Sequence, residues 1–320
     1  MAVSRSIQAD DTGARHQGQH GYCTSIGNDL LAWLASTEHK RRIHVLELLP
    51  TERRYEVNAE ALAYLTEGGL AACHRDVLAA RPLGLTDSKA WATYLHHWGI
   101  DSPRAVTVAT AGALLGGLVT QGVSLDIGLV SDDAGQCDLF VHGLGWVPAE
   151  RPWQHLLPLN ELDRRAIEWA RQQVWTLYRE LKAYCQQPDP TVKAQLPAAC
   201  EALCATETTG APLHQVLQHF QANPADLLRV LERPELPLHN NRSDNDLRDR
   251  VKKRKISAGT RSEAGRRCRD TCASLKKTCR QQGLSFWEYL KDRVSGLNVI
   301  PPLAELIRRA AASRHGPACS

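Results

Sequence analysis

The sequence predicts an α/β fold: a sheet begun near the N terminus, completed mid-chain, and followed by a long helical region. Three observations carry this. The first fifty residues break into short apolar segments, residues 124 to 133 (SLDIGLVSDD) form a nearly all-apolar run ending in two acids, and residues 150 to 233 keep helical spacing throughout.

The opening segments, IQADD, GYCTSIGNDLLAWLAST and RRIHVLELLP, are separated by Gly, His, Lys and Arg and read as a three-stranded meander. From Asn58 the period changes. Ala59, Leu62, Ala63 and Leu65 suit an amphipathic helix with Asn58 as N-cap, and Trp91, Tyr94, Leu95 and Trp98 suit another after Ser88. SLDIGLVSDD then reads as a buried central strand. In the helical region Trp169, Val174, Trp175, Tyr178, Leu181 and Cys185 recur at spacings near three and four, as do Leu213, Val216, Leu217 and Phe220 after Pro212. At that period these aromatics are core residues, not a base-stacking platform. Pro234 and Pro237 end the region and reset the chain before a new helix whose start follows PLHNN, with Asn240 and Asn241 as capping residues. After Val299 a short helix and a frayed end are expected. No internal repeat or low-complexity tract is evident.

Composition bounds the function. With 43% apolar and 23% charged residues over 320 positions, the chain can bury a sizeable core in one large or two smaller domains. The most apolar run, Ala111 to Val119, is about half the roughly 18 residues of a membrane span, and MAVSRSIQADD lacks a secretory apolar region, so a cytoplasmic protein without a membrane partner is expected. Ten cysteines without paired spacings fit reduced thiols. Cys268, Cys272, Leu275 and Cys279 read as a buried stripe on one helix. The net charge of +4 conceals an asymmetry: residues 242–293 hold 16 Lys and Arg against 7 Asp and Glu, whereas residues 1–241 hold 20 against 27. A local basic segment on an acidic body is the footprint of a protein that holds a polyanion.

Three acidic sites lie where regular structure begins or ends. Asp10 and Asp11 close the first strand, Asp132 and Asp133 close the central one, and Asp244 and Asp246 open the helix after PLHNN. Singly, each suits a turn former or a helix cap. Gathered at one sheet edge, they offer the oxygen ligands that hard divalent cations take, and a pair of such ions can clamp an in-line phosphoryl displacement.

The stretches ADDTGARHQGQHGYCTSIGNDLLAWLAST, LVSDDAGQ, GWVPAERPWQHLLPLNE, ERPELPLHNNRSDNDLR, RKISAGTRSEAGRRCRDTCASLKKTC and GLSFWEYLKDRV span nearly the whole chain. In that order they resemble the DDE-type transposases of bacterial insertion sequences, in the insertion-sequence sixty-six family. The resemblance implies an α/β, ribonuclease H-like mixed sheet flanked by helices, with an all-helical insertion before the last catalytic helix. It divides the chain into a catalytic core begun over 1–149, a helical insertion over 150–235, the rest of the core with a basic DNA-facing helix over 236–298, and a tail over 299–320.

The resemblance also implies roles. Asp10, Asp132 and Asp244 take the places of the three catalytic, metal-holding acids, with Asp11, Asp133 and Asp246 supporting them. Two Mg²⁺ ions, or Mn²⁺ in substitution, are the implied cofactor. DNA is the implied partner, bound as a homo-oligomer and contacted through Arg242, Arg248, Lys252, Lys253, Arg254, Lys255 and Arg261; no small-molecule substrate is implied. The reaction is strand cleavage and transfer, with DNA transposition as its outcome. Three departures predict an impaired copy or, alternatively, a catalytically inactive remnant that binds DNA non-specifically. Asp244 stands for the family's longer glutamate, Gly145 and Pro148 stand where the family places a Cys and a His, and Asp10 falls so near the start that the family's end-recognising region has no room.

Overall fold

The computed structural model describes residues 5–50, 52–80, 84–132, 140–146, 153, 155–206 and 211–314. Two compact units emerge, one of residues 1–3 and 37–125, the other of residues 4–36 and 126–320.

The second unit holds a five-stranded mixed sheet flanked by helices. Its strands are β1 (Ser6–His16), β2 (Gln19–Gly27), β3 (Ala32–Thr37), β4 (Gly128–Ser131) and β5 (Val141–Leu144), in the order β3-β2-β1-β4-β5. β1 pairs antiparallel with β2 and parallel with β4, and β4 pairs parallel with β5. GYCTSIGNDLLAWLAST therefore makes two strands. Asn28 splits them, its side-chain oxygen accepting from the Leu30 and Leu31 amides at 2.8 and 3.2 Å, a local turn that competes with the ladder. The short central strand appears as expected, all four of its residues buried.

RRIHVLELLP, expected as the meander's third strand, is instead helical: α1 (Arg42–Leu48) opens the other unit and buries Val45 and Leu46. A short apolar run fits either period, and packing decides it here. The unit continues with α2 (Ala59–Glu67), α3 (Ala72–Ala80), α4 (Ser88–His97) and α5 (Pro103–Thr120). Asn58 caps α2 as expected, accepting from the Ala61 amide at 3.0 Å. Among the described residues α5 alone is long and apolar enough to cross a membrane by length and composition, and half of it is buried within the fold. Its small residues explain that burial. A Cβ on Gly116 or Gly117 would collide with the carbonyl oxygens of Glu56 and Arg54, so the glycines let that backbone lie against the helix, where the Glu56 amide donates to Ala113 O at 2.9 Å.

The pairs α2–α3 and α4–α5 repeat one plan thirty residues apart, a repeat the sequence did not disclose. Ala61 and Trp91, Leu65 and Leu95, and Leu70 and Ile100 are buried equivalents, and Gly69 and Gly99 both take positive φ, at 72° and 69°. In each turn the residue after the glycine donates its amide to the equivalent leucine carbonyl at 3.0 Å. Tyr55 and Leu85, just upstream of the two pairs, bridge to each other.

Between β5 and the last helices of the sheet-bearing unit lie α6 (Glu161–Gln186), α7 (Pro190–Cys204), α8 (Ala211–Ala222), α9 (Pro224–Leu227) and a 3-10 turn at Arg229–Leu231. Their apolar faces bury Val174, Leu181, Leu217 and Phe220 with Val130, Leu144, Trp146 and Trp153. Trp169 and Trp175, expected in the core, sit on the outer side of α6, 44% and 42% exposed.

The chain closes with α10 (Asn241–Ser257), α11 (Glu263–Gln281), α12 (Phe286–Val294) and α13 (Leu303–Arg314). Asn240 occupies the N-cap position of α10, but its side chain makes no capping hydrogen bond; only its carbonyl engages, accepting from the Asp244 amide at 3.2 Å. The expected cysteine stripe of α11 is also corrected, because Cys268 and Cys272 are exposed and only Cys279 is buried. The inward stripe is polar. β3 is an edge strand, and unpaired edge amides need partners. Asp270, Ser274 and Thr278, one turn apart, supply them: Ser36 N donates to Asp270 at 2.8 Å, Leu34 N to Ser274 at 2.9 Å and Ala32 N to Thr278 at 3.2 Å. The same two hydroxyls donate back to the Leu34 and Ala32 carbonyls, each at 3.2 Å. Arg250 of α10, buried, completes this contact by donating to both Asp270 and Ser36.

Candidate functional site

Asp10 and Asp11, expected to close the first strand, lie inside it, since pairing with β2 carries β1 on to His16, and they point to opposite faces of the sheet because side chains alternate along a strand. Asp11 lies opposite Thr24 and accepts a hydrogen bond from its hydroxyl. Asp10 lies opposite Ser25 on the face that carries α10. On the other side of β1 the parallel register sets Gln8 beside Val130, so two residues further along each chain Asp10 comes level with Asp132, just beyond the end of β4.

Helix α10 packs along β1 and β2. The Arg242 amide donates to Gln8 Oε1 at 3.3 Å near the helix start, and Arg254 reaches Thr12 Oγ1 at 3.4 Å and the Gly13 carbonyl near its end. Asp244, in the first turn, is thereby held over the stretch of β1 between Gln8 and Thr12 that bears Asp10.

The electrostatics register this convergence. The Asp10 carboxyl is raised from 3.8 to about 6, first by burial and then by the negative charges of Asp132, Asp244 and Asp11. The Asp11 amide, donating to Asp10 Oδ1 at 2.8 Å, opposes the rise. The buried Oδ1 of Asp132 has no hydrogen-bond partner among the described residues. Asp244 is half-exposed, with Arg248 Nη2 at 4.0 Å. The donors are hard carboxylate oxygens, the charge repels itself, and one buried acceptor lacks a partner among the described residues: the set fits a divalent cation in chemistry. Yet among the described residues no three His, Cys, Asp or Glu side chains are grouped closely enough to hold an ion. Asp246 is turned away from this group. It is buried on α10 beside Lys277, whose ammonium lies 3.7 Å from it and 3.3 Å from Asp249, and burial raises its carboxyl above the ordinary value.

The basic residues divide. Arg248, Lys252, Lys253, Lys255 and Arg261 are exposed along and beyond α10, whereas Arg254 is spent on the β1 backbone and Arg242 on an ion pair with Asp29. Gly145 follows β5 directly, its amide donating to Ser131 O at 2.9 Å, and Asp133 and Pro148 lie outside the described residues. Sequence reasoning missed a buried polar chain next to Asp132. Ser131 Oγ lies 2.9 Å from His142 Nε2, and His142 Nδ1 lies 2.9 Å from Asp226 Oδ2. The one available signal was a serine and a histidine inside otherwise apolar strands.

Compared with known proteins, residues 153–267 match the family described as Transposase IS66 family. Uncharacterized protein y4jO of Sinorhizobium fredii is 39% identical over 312 residues, an alignment covering 95% of this chain and 97% of that protein. The chain belongs to the IS66 transposase family. Of the three candidate acids, Asp244 falls within the matched stretch of this IS66 member, and Asp10 and Asp132 precede it. No solved structure matches the chain.

Proposed function

We propose that this chain carries out transposase-type DNA strand cleavage and transfer, with Asp10, Asp132 and Asp244 as the acids that hold divalent cations. The observation that carries the reading is electrostatic. Asp10, Asp132 and Asp244, distant in sequence, lie closely enough that the charges of the latter two add to the rise that burial gives the Asp10 carboxyl's pKa, an arrangement a fold tolerates where a cation is to be received. When bound, two Mg²⁺ or Mn²⁺ ions supply charge neutralisation at the attacking and leaving oxygens of a phosphodiester displacement.

The protein's own residues do the rest. Asp10, inside β1, and Asp132, just past the end of the neighbouring parallel β4, fix two of the acids on the sheet. Asp244 brings the third on a helix whose exposed Arg248, Lys252, Lys253 and Lys255 face solvent beside it. Those side chains hold the phosphate backbone while the acids hold the cations, which explains why carboxylates precede a basic cluster on one helix. No side-chain nucleophile is required.

The mixed sheet with helices on its faces, interrupted by α6–α9 before α10, supports a ribonuclease H-like core. We read residues 150–235 as an insertion into that core and DNA as the partner. A second reading, an inactive remnant that binds DNA non-specifically, is favoured by one observation: no three acids stand at ion-holding spacing among the described residues. Nicking of supercoiled plasmid in Mn²⁺ separates the two. Cleavage by the wild type and its loss in Asp132→Ala supports catalysis. Equal nicking by both assigns the activity to contamination, and binding without nicking supports the remnant.

A further inference from the structure

Ser131, His142, Asp226 and Arg229 form a polar chain that ends at the backbone of Asp132. Ser131 is 1% and His142 7% exposed. Asp226 accepts from Arg229 Nη2 at 2.9 Å, and Arg229 Nε donates to the His142 carbonyl at 2.9 Å, closing a ring around the imidazole. At the far end Ser131 Oγ sits 2.7 Å from the carbonyl oxygen of Asp132. The Asp226 carboxylate only accepts, so His142 Nδ1 carries hydrogen. The ring orientation is thus set by Asp226 and Arg229; the single Ser131 proton goes to the Asp132 carbonyl, so the contact between Ser131 Oγ and His142 is made with Nε2 also carrying hydrogen and donating to Oγ.

A serine, a histidine and an aspartate in sequence suggest a nucleophile, but the Ser131 hydroxyl is sealed from solvent and already engaged with the neighbouring peptide, so no substrate reaches it. What the chain does control is the peptide carrying Asp132. β4 ends at Ser131, whose carbonyl accepts from the Gly145 amide at 2.9 Å. Asp226 and Arg229 come from the end of the helical segment that packs on β4 and β5.

We propose that His142 is a positioning residue, held by Asp226 and Arg229, that fixes the Asp132 peptide through Ser131 and so orients the Asp132 carboxylate toward the cation. The inference rests on the role given to Asp132 above. Groups that orient a ligand from behind are commonly worth about ten- to a hundredfold in metal affinity.

The test is the Mn²⁺ concentration that half-saturates the thermal stabilisation of the full chain, measured with amide exchange at residues 131–132. Ser131→Ala and Asp226→Ala should each raise that midpoint about tenfold or more and speed exchange at the Asp132 amide. Ser131→Thr, which keeps the hydroxyl, should stay near wild type. If Ser131→Ala does not fold, Asp226→Ala decides on the same midpoint. Wild-type midpoints in both variants, with faster exchange, would overturn the proposal and leave a structural clasp. A wild-type Mn²⁺ response that survives Asp132→Asn undamaged would instead remove Asp132 itself, and this proposal with it.

Discussion

Asp10→Asn should stabilise the metal-free protein at neutral pH. The Asp10 carboxyl sits at about 6 in the fold against 3.8 unperturbed. At about 1.36 kcal/mol per unit, that displacement is on the order of 3 kcal/mol. Because Asp10 is only partly shielded from water, solvent screening reduces the figure to roughly 1–2 kcal/mol. Asparagine keeps the acceptor for the Asp11 amide and drops the charge that Asp132 and Asp244 repel. The sign follows from proton binding. Between about pH 4 and 6 the folded protein retains a proton the unfolded chain has released, so wild-type stability falls as pH rises through that window and is level above it. Differential scanning calorimetry in chelator should therefore find the variant melting about 2–5 °C higher at pH 7.5, with most of the gap gone by pH 4. Added Mn²⁺ should reverse the order, raising the wild type alone. A variant no more stable than wild type at pH 7.5, or one equally more stable at pH 4, would refute the charge convergence.

Breaking the buried Arg250–Asp270 pair with Asp270→Ala should cost about 3–5 kcal/mol in urea unfolding, since a buried guanidinium would lose its partner. A loss under 1 kcal/mol would mean that water replaces the carboxylate. Thr278→Val should cost about 1–3 kcal/mol by stripping the partner from the Ala32 amide and carbonyl, a loss the same titration reads. Gly117→Ala should destabilise by about 1–3 kcal/mol because its Cβ meets the Arg54 carbonyl, detectable as a lower first transition if the two units melt separately. Replacing Lys252 and Lys253 together by alanine should flatten the salt dependence of DNA binding by about one unit of slope per lost phosphate contact. An unchanged slope removes both from the interface.

The legible parts of this fold are those set by local chemistry. Asn58 capped its helix because an amide side chain before an apolar-periodic run can accept from a free first-turn N–H, and the buried β4 followed from a run with no polar face. What stayed hidden depended on partners far along the chain. RRIHVLELLP turned out helical because packing outranks a period that seven residues cannot define. The α11 stripe was missed because apolar periodicity was sought, and the buried face is instead Asp270, Ser274 and Thr278, chosen by an edge strand some 240 residues away. At the candidate site Asp132 and Asp244 could be named from where β4 ends and α10 begins, but Asp10 and Asp11, expected to close the first strand, lie inside it because pairing with β2 carries β1 on to His16. The choice of Asp10 over Asp11 needed the strand's alternation and Thr24, and the Ser131–His142–Asp226 chain needed the β4–β5 register and the end of the helical segment.

Calorimetric titration of Mn²⁺ into the wild type and into Asp10→Asn, Asp132→Asn and Asp244→Asn tests the shared cation site most directly. Saturable binding by the wild type, weakened at least about tenfold by each single change, is the predicted result. Four indistinguishable isotherms would contradict it.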